Sequence, residues 1–274
     1  MERVGQLASR PQPFSLWHQT TTGVRVLTFA GVVAVWEVIG RTGLFFPDLF
    51  PSFLEIVQAF WTHVSTTVLL PHLGASFYAV GGGFLIGTVL GVPLGVIFGS
   101  RRSVIAVTEP LILYLAVIPK IIIFPIFILF FGIGVQSKLA VGASAAFFPI
   151  SLLTIAGMRE IKPIYLAVAR SVGAPQFKIA TQIYLPAVMA YVFAGLRIGM
   201  GAAVTGALLA ETKVARAGLG FLAVDYYAQF RIADMYSLFL LIFIIAALIN
   251  WAMNAVLGRL APHRKLVQDQ GLSF

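Results

Sequence analysis

The sequence predicts an all-α protein that crosses a lipid bilayer about six times. Two observations carry this prediction: the composition is too apolar for a water-soluble domain of this size, and the apolar residues form runs of membrane-spanning length. Hydrophobic residues make up 59% of the 274 residues and charged residues 11%, and the mean hydropathy is +0.94. The sequence contains no cysteine, which excludes disulfides and Cys-based metal sites.

Six apolar runs account for the predicted crossings. A helix needs about 20 apolar residues to cross about 30 Å of hydrocarbon. The runs that meet or approach this length are 26–39, 75–99, 107–134, 139–158, 183–210 and 236–260. The first is the shortest and contains Glu37. The third contains Pro110, Pro119 and Pro125 and is too long for one straight crossing, so we expect it to bend near Pro119.

The basic residues predict the orientation of the chain. With the N-terminus inside, twelve of them fall in inner loops and tails: Arg3, Arg10, Arg25, Arg101, Arg102, Arg159, Lys162, Arg170, Lys178, Arg259, Arg264 and Lys265. Five fall in outer loops: Arg41, Lys138, Lys213, Arg216 and Arg231. Because Lys and Arg accumulate on the cytoplasmic side, both termini are predicted to be cytoplasmic, with tails at 1–25 and 261–274 around a transmembrane domain at 26–260.

Neither a cleaved signal nor nucleic-acid binding is expected. The first 25 residues contain no apolar segment of their own, and no small-residue cleavage pattern follows them. The net charge of +9 reflects membrane topology, since no basic cluster is interleaved with aromatic residues.

Glycine recurs at every fourth position of the second run, at Gly83, Gly87, Gly91, Gly95 and Gly99. Residues at this spacing share one face of a helix, where small side chains let a second helix approach closely. A shorter version, Gly195 and Gly199, occurs in the fifth run. The pattern predicts a packing seam, which either belongs to a moving interface or serves static packing alone.

A polar-faced helix is predicted between the fourth and fifth runs. Its apolar positions, at helical spacing, are Ile161, Ile164, Tyr165, Val168 and Val172. Gly173 can adopt the positive φ that ends a helix, and Pro175 suits the start of a new one. Residues 160–182, the coupling segment, are therefore either a docking surface or an interfacial helix that lies in the lipid headgroups.

The coupling segment and several other stretches of the sequence resemble those of a known family. The run Ala167-Val-Ala169-Arg170-Ser171-Val-Gly173-Ala174, followed by Leu185-Pro186, is similar to the cytoplasmic coupling motif of ATP-binding-cassette (ABC) importer permeases. Ala167 stands where that motif usually has Glu. Further stretches resemble the nitrate, sulfonate and taurine type of permease: 119–125, 131–134, 195–199, Ala210-Glu211 and 218–222.

The resemblance implies a type I ABC importer permease fold and a bacterial inner-membrane location. It implies a homodimer of this chain, two ABC ATPase subunits and an extracytoplasmic substrate-binding protein, with alternating access as the mechanism. This chain would hydrolyse nothing and hold no cofactor, because ATP and Mg²⁺ would bind to the ATPase. The residues implied to couple to that ATPase are Ala169, Arg170, Ser171, Gly173, Ala174, Leu185 and Pro186.

Two cations at membrane depth, Lys120 and Arg197, are candidates for the translocation path, because charges within the bilayer usually face a bundle interior or a wet cavity. They favour an anionic cargo, and the resemblance implies a sulfonate or taurine, with nitrate and a vitamin precursor as alternatives. Either cation can instead be structural, with Arg197 capping carbonyls or pairing with Glu109 or Glu211. Further candidates for the path are Tyr114, Ser144, Phe148, Met200 and Thr205. Residues expected to meet the binding protein, or to form only a solvated loop, are Lys213, Arg216, Asp225, Tyr226, Tyr227, Arg231 and Asp234.

Two other classes of protein fit the sequence less well. An intramembrane enzyme needs a nucleophile with a base, or metal ligands, within the spans, and all four histidines lie outside the predicted spans. A secondary transporter commonly contains paired interrupted helices in an inverted repeat, and only the third run is broken repeatedly.

Overall fold

The computed structural model describes residues 14–43 and 49–260, with side chains from 23 to 43 and from 49 to 256, and over these ranges it contains helices and no strand. The α-helices, in chain order, are α1 Phe14–Thr42, α2 Phe53–Ser65, α3 Leu69–Gly99, α4 Arg102–Val117, α5 Lys120–Phe131, α6 Val135–Arg159, α7 Pro163–Ser171, α8 Gln176–Ile179, α9 Leu185–Lys213, α10 Leu219–Ala228 and α11 Ile232–Leu260. A π-helical segment, Ala180–Tyr184, joins α8 to α9. The all-α prediction is confirmed.

The number of predicted membrane crossings is also confirmed. Five stretches are long and apolar enough to span: Gly23–Thr42, Leu69–Gly99, Val135–Arg159, Gln176–Lys213 and Ile232–Val256. Helices α4 and α5 make a sixth span if they are counted together, and they meet at an angle of 89°. The predicted bend near Pro119 is therefore present, because α4 ends at Val117 and α5 begins at Lys120. Helix α1 begins at Phe14, within the segment expected as an N-terminal tail, while 1–13 and 261–274 lie outside the described residues.

Helix α6 lies at the centre of the fold, between α3 and α9. The glycines of α3 face α6 so closely that an added Cβ at Gly87 would lie 2.7 Å from the Ala146 Cβ atom, and one at Gly95 would lie 2.6 Å from the Thr154 Cβ atom. On the other side, Gly199 of α9 packs against Ile150. Ala146 and Ile150 are fully buried. The predicted glycine seam is thus a real helix contact, and a second one faces it across α6.

Two short helices that the hydropathy pattern did not predict lie at one end of the bundle. Helix α2 begins with a capping box, in which the Ser52 Oγ atom accepts from the Glu55 N–H at 3.3 Å and the Glu55 carboxylate accepts from the Ser52 N–H at 2.9 Å. Helix α10 lies beside the start of α3 and the end of α9. Helix α7 follows the far end of α6, so the α7 end and the α10 end are opposite ends of the bundle.

Candidate coupling surface and translocation path

Helix α7 ends in a left-handed turn at Gly173, whose φ is +68°. The Gly173 N–H donates to the Arg170 carbonyl at 3.0 Å, and the Ala174 N–H donates to the Ala169 carbonyl at 2.9 Å. This pair of bonds is the Schellman motif, which favours glycine at the residue with positive φ. The predicted role of Gly173 as a helix stop is confirmed. Beyond it, α8 and the π-helical segment lead directly into α9, so the coupling segment is continuous with a long membrane helix.

The apolar face of the coupling segment is not covered by any described part of the chain. Val172 is 74% exposed and Phe177 is 77% exposed. Ile164, Tyr165 and Val168 are each more than half exposed. Apolar side chains in such a continuous group indicate a surface that meets a partner or a lipid.

The predicted coupling residues lie on or beside this surface. Exposed members are Arg170, Ser171, Gly173, Leu185 and Pro186, while Ala169 and Ala174 are half-buried. At the root of the segment, Ile161 packs with Met158 of α6 and Val188 of α9. The segment is therefore attached to the two central helices at the point where it leaves the membrane domain.

An ion pair ties the same end of α6 to α4. The Arg159 Nη1 atom lies 3.1 and 3.2 Å from the two carboxylate oxygens of Glu109. Glu109 was one of two partners considered for Arg197, and the structure gives it to Arg159 instead.

Lys120 caps the broken end of α4. Its Nζ atom donates to the carbonyls of Leu115 at 2.7 Å, Ala116 at 3.1 Å and Ile118 at 2.8 Å, and it lies 4.1 Å from the centre of the Phe148 ring. These carbonyls lack helical partners because the helix stops before Pro119. A lysine ammonium has three N–H donors, so all of them are engaged within the chain. The contacts of Lys120 therefore agree with a structural role and not with a role in binding cargo.

Arg197 is the contrasting case. Its side chain is exposed on α9 and has no hydrogen bond or ion pair with any residue that the structure describes. Gly195 and Gly199, on either side of it, pack against Ile150 near the middle of α6. Because the Phe148 ring that holds Lys120 belongs to the same stretch of α6, both cations lie at about the same depth.

Small or polar residues accompany Arg197 along its face of α9. Gly201 and Thr205, one and two turns further on, are exposed, and an added Cβ at Gly201 would meet nothing within 4 Å. Isolated in lipid, an arginine at this depth is costly. This face of α9 is thus suited to a second chain or to a wet path.

The remaining path candidates do not form one group. Tyr114 is exposed on α4, and the Ser144 Oγ atom donates to its own helix at the Val141 carbonyl, 2.8 Å away. Phe148 lies under Lys120. Met200 lines a separate apolar cleft of about 180 Å³ between α3, α9 and α11, and Arg197 is not among the residues that line it.

A buried carboxylate that the sequence offered only as a possible partner of Arg197 holds α10 in place. Glu211 is 2% exposed, and its carboxylate accepts from the Ser76 hydroxyl at 2.8 Å and from the Gly220 N–H at 2.9 Å. Any Cβ at Gly218 (φ +126°) would overlap the Glu211 carboxylate. The sequence did contain a signal for this contact, namely Ala210-Glu211 followed by Gly218-Leu219-Gly220. Only glycine at these positions leaves room for the Glu211 carboxylate so near the start of α10.

Glu211 is consequently not the partner of Arg197, the second pairing that the sequence left open. Two placements also differ from the sequence prediction. Lys138, expected in an outer loop, is buried in the first turn of α6 and donates to the carbonyls of Ile133 and Gly134. His72, expected outside the spans, lies in the first turn of α3 and accepts from the Gly218 N–H at 3.2 Å.

The fold and these surfaces define a multi-pass helical membrane protein with an exposed apolar surface at one end and, at mid-depth, a cation that no described residue pairs. Residues 87–266 match the family model described as binding-protein-dependent transport system inner membrane component. The chain belongs to this family, and it is an ABC importer permease whose curated relatives include sulfonate and taurine permeases.

Curated relatives extend over most of the chain. The putative aliphatic sulfonates transport permease protein SsuC of Bacillus subtilis is 30% identical over 72% of this chain and 71% of its own length. The taurine transport system permease protein TauC of Escherichia coli is 27% identical over 88% and 90%. The formylaminopyrimidine transport permease protein ThiX of Halalkalibacterium halodurans is 28% identical over 87% and 95%.

A solved structure shares the fold. A chain of the MetNI methionine ABC transporter in inward-facing conformations superimposes with a TM-score of 0.61 at 20% identity, covering 69% of this chain and 94% of that one. The predicted type I importer permease fold is confirmed.

Proposed function

We propose that this chain forms the translocation path of an ATP-driven importer for a small organic anion. The observation that carries the proposal is the coupling segment: its apolar face is covered by no described residue, is fixed by the turn at Gly173 and is continuous with α9. A surface of this kind suits a subunit that pushes on the membrane helices from outside the bilayer.

The proposed assembly contains two copies of this chain, two ABC ATPase subunits and an extracytoplasmic binding protein. The family description names a binding-protein-dependent system, and relatives are named as transport permeases, which supports these partners. ATP and Mg²⁺ belong to the ATPase subunits, and this chain needs no cofactor of its own. The α7 end is cytoplasmic together with both termini, and the α10 end is extracytoplasmic, in a bacterial inner membrane.

Transport proceeds by alternating access in this proposal. Nucleotide binding draws the ATPase subunits together, and the coupling segments follow because they dock on them. The nucleotide-bound ATPase must bind one conformation of the permease more tightly than the other, since a ligand with equal affinity for both shifts nothing. The segment moves the start of α9 directly and α4 through the pair between Arg159 and Glu109.

The anionic cargo is proposed from Arg197. Lys120 has no N–H left to offer, whereas the Arg197 guanidinium has five donors and no partner among the described residues. A second copy packed on this face of α9 would enclose two guanidinium groups at mid-depth. A sulfonate or taurine fits such a site and agrees with two of the relatives, while nitrate and a vitamin precursor are the alternatives.

The proposal is tested by placing a charge on the exposed apolar face of the coupling segment. Val172→Asp alters a side chain that is 74% exposed, so the permease should fold normally but lose the ATPase on purification and lose ATP-dependent uptake into proteoliposomes. Val68→Asp, at a half-exposed valine on the opposite end, is the matched control.

Two results would count against the proposal. In the first, Val172→Asp retains the ATPase and transports like the control. In the second, the purified wild-type chain, alone in proteoliposomes, takes up its cargo along an ion gradient, which would favour a secondary transporter.

A further inference from the structure

The turn between α10 and α11 carries an aromatic residue in an unfavourable conformation. Phe230 has a φ of 57°, and it is the one non-glycine residue with positive φ in the described ranges. The Phe230 N–H donates to the Tyr227 carbonyl at 3.1 Å, and the Arg231 N–H donates to the Tyr226 carbonyl at 2.9 Å. This is a Schellman motif with phenylalanine at the position that glycine or asparagine normally takes.

Burial does not compensate for this conformation. The Phe230 side chain is 77% exposed, and Tyr227 beside it is 60% exposed. The chain therefore keeps a bulky apolar group where it strains the backbone and packs little against the described residues. Strained residues that persist in this way are commonly functional.

A polar network beneath the turn fixes its position. The Arg231 guanidinium lies 4.4 Å from the centre of the Tyr226 ring and donates to the Asp234 carboxylate at 2.8 Å. The other Asp234 oxygen lies 2.8 Å from the Nε2 atom of His63, a buried residue of α2 that stacks on the Tyr226 ring. The hydrogen bond to Asp234 raises the pKa of Arg231 further above its ordinary value. The turn is thus held by three elements, α2, α10 and α11.

We propose that Tyr227 and Phe230, the aromatic knob, are the contact through which the permease anchors its extracytoplasmic binding protein. This inference rests on the importer function proposed above. Rigid exposed aromatics at the centre of a surface are the usual carriers of binding energy between proteins.

The surroundings of the knob favour a protein over lipid. Gln229 donates to the Asp225 carboxylate at 2.8 Å on the exposed side of the turn, and the Arg231 side chain is about half exposed. These groups would have to be desolvated in hydrocarbon, but they form an ordinary polar rim in a protein interface. The occupant is therefore expected to present an apolar pocket with polar groups around it.

The variant Phe230→Gly separates the two roles of this residue. Glycine suits positive φ, so the variant complex should be at least as heat-stable as the wild type. It removes the side chain, so the affinity for the binding protein should fall at least tenfold. Tyr227→Ala should weaken binding in the same direction. Trp61→Ala, at an exposed aromatic of α2 on the same end of the bundle, is the control and should leave affinity unchanged.

Binding is measured by interferometry on the intact complex in nanodiscs, and the probe is the purified binding protein that stimulates ATP hydrolysis by the wild-type complex. If the wild type and Phe230→Gly bind the binding protein with equal affinity, the proposed role of the aromatic knob is wrong, while the proposed importer function is unaffected. Quenching of a fluorophore at position 230 by spin-labelled lipid would overturn it as well, because the knob would then lie in the bilayer. If no binding protein stimulates the wild-type complex, the proposed function fails and the knob fails with it.

Discussion

The Ser76 hydroxyl of α3 lies 2.8 Å from both carboxylate oxygens of Glu211 on α9, which joins helices 135 residues apart in the sequence. The same hydroxyl oxygen accepts the Leu219 N–H at 2.8 Å. Ser76 and Glu211 therefore satisfy backbone N–H groups at the start of α10, which would otherwise be unpaired inside the protein.

Replacing Ser76 with alanine should destabilise the protein by about 1–3 kcal/mol, because the buried Leu219 N–H and the Glu211 carboxylate each lose a partner. Ser144→Ala is the control, since among the described residues the Ser144 hydroxyl bonds only to a carbonyl of its own helix. Thermal unfolding in detergent compares the two. The assignment is wrong if both variants unfold at the same temperature.

The glycine seam gives a second stability prediction. Gly87→Ala places a methyl group 2.7 Å from the Ala146 Cβ atom and 2.9 Å from the Ala143 carbonyl oxygen, so α3 and α6 must separate. Overpacking of this kind costs about 1–3 kcal/mol. Gly81→Ala lies on the same helix with nothing within 4 Å and should leave Tm unchanged or raise it. A matching fall in Tm for both variants would mean that the seam does not determine stability.

Gly173 gives a prediction about coupling instead of packing. An added side chain there meets nothing within 4 Å, but φ is +68°, which costs an L-residue about 1–2 kcal/mol. Gly173→Val should therefore distort the end of α7 and abolish ATP-driven uptake while the chain still inserts and assembles. Asparagine tolerates this conformation, so Gly173→Asn should retain most uptake. Normal uptake by the valine variant would contradict the prediction.

Hydropathy alone predicted the spans, because a long apolar run is stable in a bilayer when it crosses the hydrocarbon core as a helix. The seam was equally accessible, since a four-residue glycine repeat shares one helix face whatever surrounds it. Helices α2 and α10 were missed because they are too short to register as membrane segments. The capping box at Ser52 and Glu55 was a usable signal for α2.

The candidate site was less predictable, since its roles depend on contacts between distant segments. A glycine at position 173 predicts the positive φ that ends α7. Nothing in the sequence shows, however, that Lys120 donates to three carbonyls that the break before Pro119 leaves without helical partners. The strain at Phe230 is equally invisible without a backbone φ. Features that depend on neighbouring residues in the sequence were therefore predicted well. The side-chain contacts between distant residues were not.

The two mid-depth cations should respond in opposite ways to neutralisation. Lys120→Gln leaves carbonyls of α4 without donors and removes the charge over the Phe148 ring, so Tm should fall. Arg197→Gln changes an exposed side chain, so Tm should change little, while uptake of an anionic cargo should fall at least tenfold. Arg197→Lys should recover part of that uptake, because it restores the charge but not the planar guanidinium.

Parallel measurement of Tm and initial uptake rate distinguishes the cations, with the cargo chosen from a panel that the binding protein binds. The anion assignment requires that the loss in Arg197→Gln be confined to uptake. If instead Arg197→Gln unfolds at a lower temperature and Lys120→Gln loses only uptake, the roles are reversed. Binding of only neutral or cationic compounds by the binding protein would remove the basis for an anionic cargo altogether, since neither class needs an unpaired guanidinium at mid-depth.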